Sequence, residues 1–299
     1  MIAIRRILCP VDISPISRPA LDRAAVLAGW YGAELTVLHV VGPLMPTLFG
    51  LEPAFSDAPL PPVDAEMVAV ELQTFVGNGV GAKRPPQLVV RSGGAARTIL
   101  SYAQEATIDL VVLGTHGRSG FERFMLGSVT EKVLRKAPCP VLTVPPETAE
   151  CEIRPAFSRI LCGVDFSEAS DRAVRYALSL AKEAQGRLTL VHVLEWLPDD
   201  SFAKYPQFDL GQYRRSLRSD ARLRLQGLVP EEARSWCDPY VPVQSGKAYE
   251  EILRLAEQDG VDLIVLGVQG RGPVDRMLFG STTQQVVRRA HCPVLTIRS

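Results

Sequence analysis

The chain is 299 residues long, 46% hydrophobic and 22% charged, and its 33 Lys and Arg balance its 33 Asp and Glu to a formal net charge of zero. That balance excludes a global basic footprint for nucleic acid, and no apolar run approaches the roughly 18–20 residues of a membrane-spanning helix. With no leader-like segment between Met1 and the first strand pattern, a cytoplasmic protein without membrane or nucleic-acid partners is expected.

In chain order, short apolar runs alternate with helical patterns, the signature of a parallel α/β sheet. Strands are expected over 7–11, 35–41, 88–91, 110–113 and 141–144, with helices over 17–31, 64–80, 95–107 and 128–136 between them. Near-continuous Val, Ile and Leu in the strands means that both faces of the sheet are covered. The segment 42–62 carries six prolines and reads as a long irregular loop. A second series follows, with strands near 160–164, 188–194, 240–244, 263–266 and 294–297. The aromatic segment 196–208 is expected to pack against the other half. The helix after it sets Tyr213, Leu217, Ala221, Leu225 and Leu228 in an apolar stripe, which leaves Arg214, Arg215, Arg218, Arg222 and Arg224 as a solvated face.

The second series repeats the first at one fixed offset. Arg6-Ile-Leu-Cys-Pro-Val-Asp12 matches Arg159-Ile-Leu-Cys-Gly-Val-Asp165, and Leu35-Thr-Val-Leu-His-Val40 matches Leu188-Thr-Leu-Val-His-Val193. Gly114-Thr-His-Gly117, nine residues, then Gly127-Ser128 matches Gly267-Val-Gln-Gly270, nine residues, then Gly280-Ser281. The offset is 153 residues throughout (267 − 114 and 280 − 127). Three fixed glycines and a hydroxyl arise by chance in roughly one chain in a hundred of this length; two copies in register do not. The unit is domain-sized, so two domains are expected, 1–147 and 157–299, joined by a proline-bearing stretch.

The glycine pattern points to phosphate. Glycine at 114 and 117 permits positive φ and lets a ligand approach the backbone. Gly127 precedes a helix whose first N–H groups have no internal partner and carry the positive end of its dipole. Ser128 adds a hydroxyl donor, and Arg118 and Arg271 follow the second glycine of each copy. This is not a Walker A loop: that motif puts lysine between its last glycine and the Ser/Thr, whereas here Gly127-Ser128 and Gly280-Ser281, preceded by Leu126 and Phe279, are directly joined and no lysine is placed to follow the phosphates. Asp12 and Asp165 end the first strand of each half. They are expected either to accept from adenine or ribose, or to cap the turn into the next helix. His39 and His192 lie in strands and read as core residues. His116 is matched by Gln269, so no histidine is required by both loops, and the four dispersed histidines argue against a zinc site. The six cysteines form no CxxC; Cys9, Cys162, Cys139 and Cys292 read as buried reduced thiols.

On these residues the chain resembles the universal stress protein family. Its ATP-binding motif is G-x2-G-x9-G-(S/T), and the segments Thr-His-Gly-Arg-Ser-Gly, Gly-Ser-Val-Thr-Glu and Cys-Pro-Val-Leu-Thr-Val around the first copy are similar too. The resemblance covers both halves and implies a tandem member. It would consist of two Rossmann-like (adenine nucleotide alpha hydrolase-like) domains, each a five-stranded parallel sheet of order 3-2-1-4-5 flanked by helices. It also implies ATP, with or without Mg, between the first and fourth strands. The implied contacts are Asp12, Val40, Gly114, Gly117, Arg118, Gly127, Ser128 and Val129 in the first half. In the second they are Asp165, Val193, Gly267, Gly270, Arg271, Gly280, Ser281 and Thr282. No catalytic residue and no metal ligand is implied. The function implied is nucleotide-dependent regulation or partner binding under stress; the alternative is a slow ATP-hydrolysing or nucleotidyl-transferring enzyme on the same fold. In that strand order the last strands, 141–144 and 294–297, lie at sheet edges. They are expected to pair antiparallel, so that the two halves imitate a homodimer; dimerisation between chains stays open.

Overall fold

A computed structural model describes residues 3–42, 65–77, 84–115, 126–146, 157–195, 209–237, 239–268 and 280–298. The proline-bearing segment 43–62, the aromatic segment 196–208 and the loops 116–125 and 269–279 lie outside the described residues, and with them Gly117, Arg118, Gly270 and Arg271.

The first half runs β1 (Arg6–Val11), α1 (Arg18–Tyr31), β2 (Glu34–Val41), α2 (Ala65–Val76), β3 (Gln87–Ser92), α3 (Ala95–Glu105), β4 (Leu110–Gly114), α4 (Ser128–Lys136) and β5 (Val141–Val144). The second runs β6 (Arg159–Gly163), α5 (Glu168–Ala184), β7 (Arg187–Leu194), α6 (Leu210–Gly227), β8 (Val243–Ser245), α7 (Ala248–Gln258), β9 (Leu263–Gly267), α8 (Ser281–Arg289) and β10 (Val294–Ile297). Two elements differ from the sequence pattern. The helix expected over 64–80 spans Ala65–Val76 and is followed by Gly77 at φ +68, a conformation that stops a helix. The strand expected over 240–244 is three residues long, preceded by an isolated bridge between Thr189 and Tyr240; Pro242 between them has no N–H for a ladder.

All ten strands form one sheet in the order β3-β2-β1-β4-β5-β10-β9-β6-β7-β8. Counted within each half, both read 3-2-1-4-5. All pairings are parallel except the join, where β5 meets β10 antiparallel. Leu142 faces Leu295, its own counterpart at the 153-residue offset, with Thr143 opposite Val294 and Val141 opposite Thr296. The side chains repeat the symmetry: Thr143 donates to the Val294 carbonyl at 3.2 Å and Thr296 to the Val141 carbonyl at 3.1 Å. This is the self-complementary contact of a two-fold dimer, built inside one chain.

Strand parity assigns the two covering layers. Ile7, Cys9 and Val11 of β1 point with Leu110 and Val112 of β4 into a core beneath α1, α2, α5 and α6. Leu8, Val111 and Leu113 point the other way, beneath α3, α4, α7 and α8. Each core runs through both halves without a break. Across the join, the Arg23 guanidinium sits 5.0 Å from the Phe157 ring, and Arg298 donates to the Arg135 carbonyl at 2.8 Å. Burial pushes the Tyr31 phenol up, reinforced by Glu183 of the other half. Asp109 accepts from the N–H groups of Arg5 and Arg6, and Asp262 from those of Ser158 and Arg159, so each fourth strand is tied at its start to the first. Among the described residues no helix is long and apolar enough to cross a membrane.

Candidate functional site

In each half the sheet order reverses between the first and fourth strands, so helices leave to opposite faces and a crevice opens at the carboxyl ends of those strands. In the first half this crevice is a cleft of about 330 Å³. Its apolar end is made by Leu38 and Val40 of β2, Ile99 of α3 and Leu113 of β4, and its polar end by Asp12, Gly114 and the start of α4. The second half places Asp165, Val193, Ile252, Leu266, Gly267 and the start of α8 around a cleft of about 170 Å³. Of the expected contacts, the structure brings together Asp12, Val40, Gly114, Gly127, Ser128 and Val129 in one cleft and Asp165, Val193, Gly267, Gly280, Ser281 and Thr282 in the other.

The polar end is built around an uncapped helix. Gly127 and Gly280 are the N-caps of α4 and α8, with φ −57 and −55, and glycine has no side chain with which to cap. Among the described residues no side chain caps the first turn, so its N–H groups can take an outside acceptor. The position is fixed from behind. Gly127 donates to the Thr115 carbonyl and Gly280 to the Val268 carbonyl, each at 2.9 Å. Thr130 donates to the Gly114 carbonyl at 2.9 Å, and Thr283 to the Gly267 carbonyl at 2.8 Å. Each helix start is thus strapped to the end of the preceding strand.

The glycines at the strand ends do not serve positive φ, and at Gly267 the missing side chain serves packing. Gly114 and Gly267 are the last residues of β4 and β9, and neither has positive φ. A Cβ on Gly267 would lie 2.8 Å from the Ala169 carbonyl carbon and 2.9 Å from the Ser170 nitrogen, so the missing side chain lets β9 touch the backbone at the start of α5.

The positive φ falls instead at Ile13, 55°, and Phe166, 60°, directly after the two aspartates. A β-branched or bulky residue is costly there. The turn is held by Asp12, whose Oδ1 accepts from the Ser14 N–H at 3.2 Å and hydroxyl at 2.6 Å. Asp165 does the same with Ser167 at 3.0 and 2.6 Å. Ser167 in turn caps α5 by accepting from the Ser170 N–H. Each aspartate thus sets the turn out of the first strand and also lines its cleft.

His39 and His192 are half-buried. Their Nδ1 atoms lie 2.9 and 2.7 Å from the carbonyls of Val11 and Val164, which places a hydrogen on Nδ1 and braces the strand end that carries the aspartate. Cys9 and Cys162 are buried, whereas Cys139 and Cys292, expected to be buried too, are half-buried; desolvation raises the thiols of all four, to about 12 in Cys139 and Cys292, which keeps them protonated. Among the described residues no three His, Cys, Asp or Glu side chains converge on a metal-sized point.

Sequence reasoning missed the apolar wall, Ile99 with Leu113 and Ile252 with Leu266, and the strapping threonines. The internal repeat held the signal, since all six are identical between halves at the 153-residue offset.

Comparison with known proteins agrees with this architecture. The model of the universal stress protein family matches residues 3–145 and again 156–298. A universal stress protein of Mycobacterium tuberculosis is 28% identical over 303 residues, which cover 96% of this chain and 95% of the relative. A universal stress protein of Thermus aquaticus is 34% identical over 146 residues, 48% of this chain but 99% of the relative, so one half here corresponds to a whole protein there. Among solved structures, a universal stress protein from Archaeoglobus fulgidus shares the fold over 98% of this chain and 96% of its own, with a TM-score of 0.65 at 24% identity.

Proposed function

The chain belongs to the universal stress protein family, as a tandem member with one family unit in each half, and from that premise we propose that each half binds an adenine nucleotide, ATP, and that occupancy controls a partner interaction in the stress response. The observation that carries this reading is the pairing of an uncapped helix N-terminus with an apolar slot at the same switch point of both halves. An adenine fits the apolar end, where Leu38, Val40, Ile99 and Leu113 offer only carbon. Phosphates fit the polar end, where the first N–H groups of α4, the Ser128 hydroxyl and the helix dipole favour negative charge. Asp12 stands beside the slot as the acceptor for a ribose hydroxyl. Any Mg would arrive with the nucleotide and be held by its phosphates and water. Gly117, Arg118, Gly270 and Arg271 belong to the same proposed sites by their place in the motif.

ATP is read here as a ligand rather than a substrate. Fast phosphoryl transfer needs an aligned metal, a positioned cation and an oriented nucleophile, and the loop lacks the lysine that follows the β and γ phosphates in a Walker A motif. Calorimetry is expected to find ATP bound in both halves, and a steady-state assay to find turnover well below the roughly 1–10³ s⁻¹ of ordinary enzymes. No binding at millimolar ATP would refute the reading. Turnover within that range, abolished by one substitution in the cleft, would instead make the protein a nucleotide-hydrolysing enzyme.

A further inference from the structure

The two clefts are lined by matching positions, yet the first encloses about 330 Å³ and the second about 170 Å³. The linings differ at three matched positions: Pro10, Leu38 and Val129 in the first, Gly163, Val191 and Thr282 in the second. Side-chain size alone would make the second cleft the larger, because glycine and valine take less room than proline and leucine.

The neighbours of position 163 reverse the order. A Cβ on Gly163 would lie 2.6 Å from Leu266 Cδ2 and 3.1 Å from Ile252 Cδ1. Those two side chains therefore lean over the glycine, into the space that a side chain would hold. Their counterparts are Leu113 and Ile99, the same residue types, which line the first cleft together with Pro10, whose ring atoms occupy the place that Gly163 leaves empty.

Backbone pairing differs at the same place. β1 meets β4 at Ile7–Leu110 and Leu8–Val111, whereas β6 meets β9 through a third rung, Cys162–Val265. The rung missing from the first half, Cys9–Val112, would take an N–H from residue 10, which proline lacks. The crevice between first and fourth strands thus opens one residue deeper in the first half. At the polar end the change runs the other way, since Thr282 puts a second hydroxyl beside Ser281 where the first half has Val129.

We infer that the two sites are not equivalent: the first holds a purine nucleotide by base and phosphates together, and the second is a narrower site that grips the phosphate chain with little hold on the base. The inference rests on the nucleotide reading above. The first cleft falls within the roughly 300–1,000 Å³ of small-molecule pockets and the second below it. The exchange of Pro10 for Gly163 sets the difference, because it decides whether the isoleucine and leucine stand beside the slot or in it.

Titration calorimetry of two single-site chains tests this, with MgATP and inorganic tripolyphosphate as titrants. Ser281→Asp blocks the second site with a carboxylate, and Ser128→Asp blocks the first. The chain with only its first site should bind ATP about 30-fold or more tightly than tripolyphosphate, and the chain with only its second site should bind the two within about threefold. Ile252→Val removes the methyl that leans over Gly163 and should raise the ATP preference of the second site severalfold. Pro10→Gly should lower that of the first. Equal ATP-to-tripolyphosphate ratios at the two sites would overturn the inequality and leave the nucleotide reading standing. No binding of either titrant to either chain would overturn both.

Discussion

Ser128→Asp is expected to lower ATP affinity in the first half by about 100-fold or more while leaving the protein at least as stable as before. Ser128 is exposed and is the first helical residue of α4, directly after the uncapped Gly127. A carboxylate there faces the positive end of the helix dipole, worth about 0.3–1 kcal/mol in favour of the fold. The same carboxylate stands where the proposed phosphates would lie. Two like charges 4 Å apart repel by about 4 kcal/mol at an effective dielectric constant of 20, and even about 2.7 kcal/mol of that is a 100-fold loss in affinity. The opposite signs of the two effects separate lost binding from lost folding. Ser128→Ala, which removes one hydroxyl donor, should cost only about 1 kcal/mol of binding. Calorimetry paired with thermal melting reads both quantities. Undiminished ATP binding in a chain carrying both Ser128→Asp and Ser281→Asp would remove the helix starts from the site.

Leu142→Pro is expected to lower the melting temperature by about 10 °C or more and to split one unfolding transition into two. Leu142 is buried at the centre of β5, paired with Val112 of β4 on one side and with Leu295 of β10 on the other. Proline removes a ladder donor and distorts the strand, leaving a buried acceptor unpaired at a cost of about 1–3 kcal/mol, and loss of the buried leucine side chain adds about 2–5 kcal/mol. For large domains each kcal/mol moves the midpoint by about 2–4 °C, so the total is well outside measurement error. The splitting follows from the position. β5 and β10 carry the rungs that join the halves, and both cores run across that join. With the join weakened, the first half keeps β1 to β4 and the second keeps β6 to β10, and each can melt separately. Differential scanning calorimetry measures both features. A single transition at the original temperature would mean that the halves are held together by something other than this strand pair. A milder control is Thr143→Val with Thr296→Val, which deletes the two symmetric side-chain bonds across the join and should cost about 1 kcal/mol for each.

The duplication, the alternation of strands and helices, and the motif that marks each cleft are legible in the amino-acid order alone. These rest on local pattern: apolar runs of strand length, helical periodicity, and glycines at fixed spacing. The family strand order then placed 141–144 and 294–297 at edges, and the structure joins them with each leucine opposite its own counterpart. Other features belonged to the tertiary structure alone. The strap from Thr130 to the Gly114 carbonyl needs the helix start to return to the strand end. The left-handed turn at Ile13 depends on Asp12 folding back on Ser14, which no propensity of isoleucine would suggest. Gly267 is glycine because a helix backbone from elsewhere in the sheet touches it. The unequal clefts are the clearest case. The difference between Pro10 and Gly163 is plain in the sequence, but its direction is not, because it is set by whether Leu266 and Ile252, over 80 residues further along the chain, move into the space that glycine leaves. Close packing transmits the absence of one side chain to its neighbours, and only the folded chain says which neighbours those are.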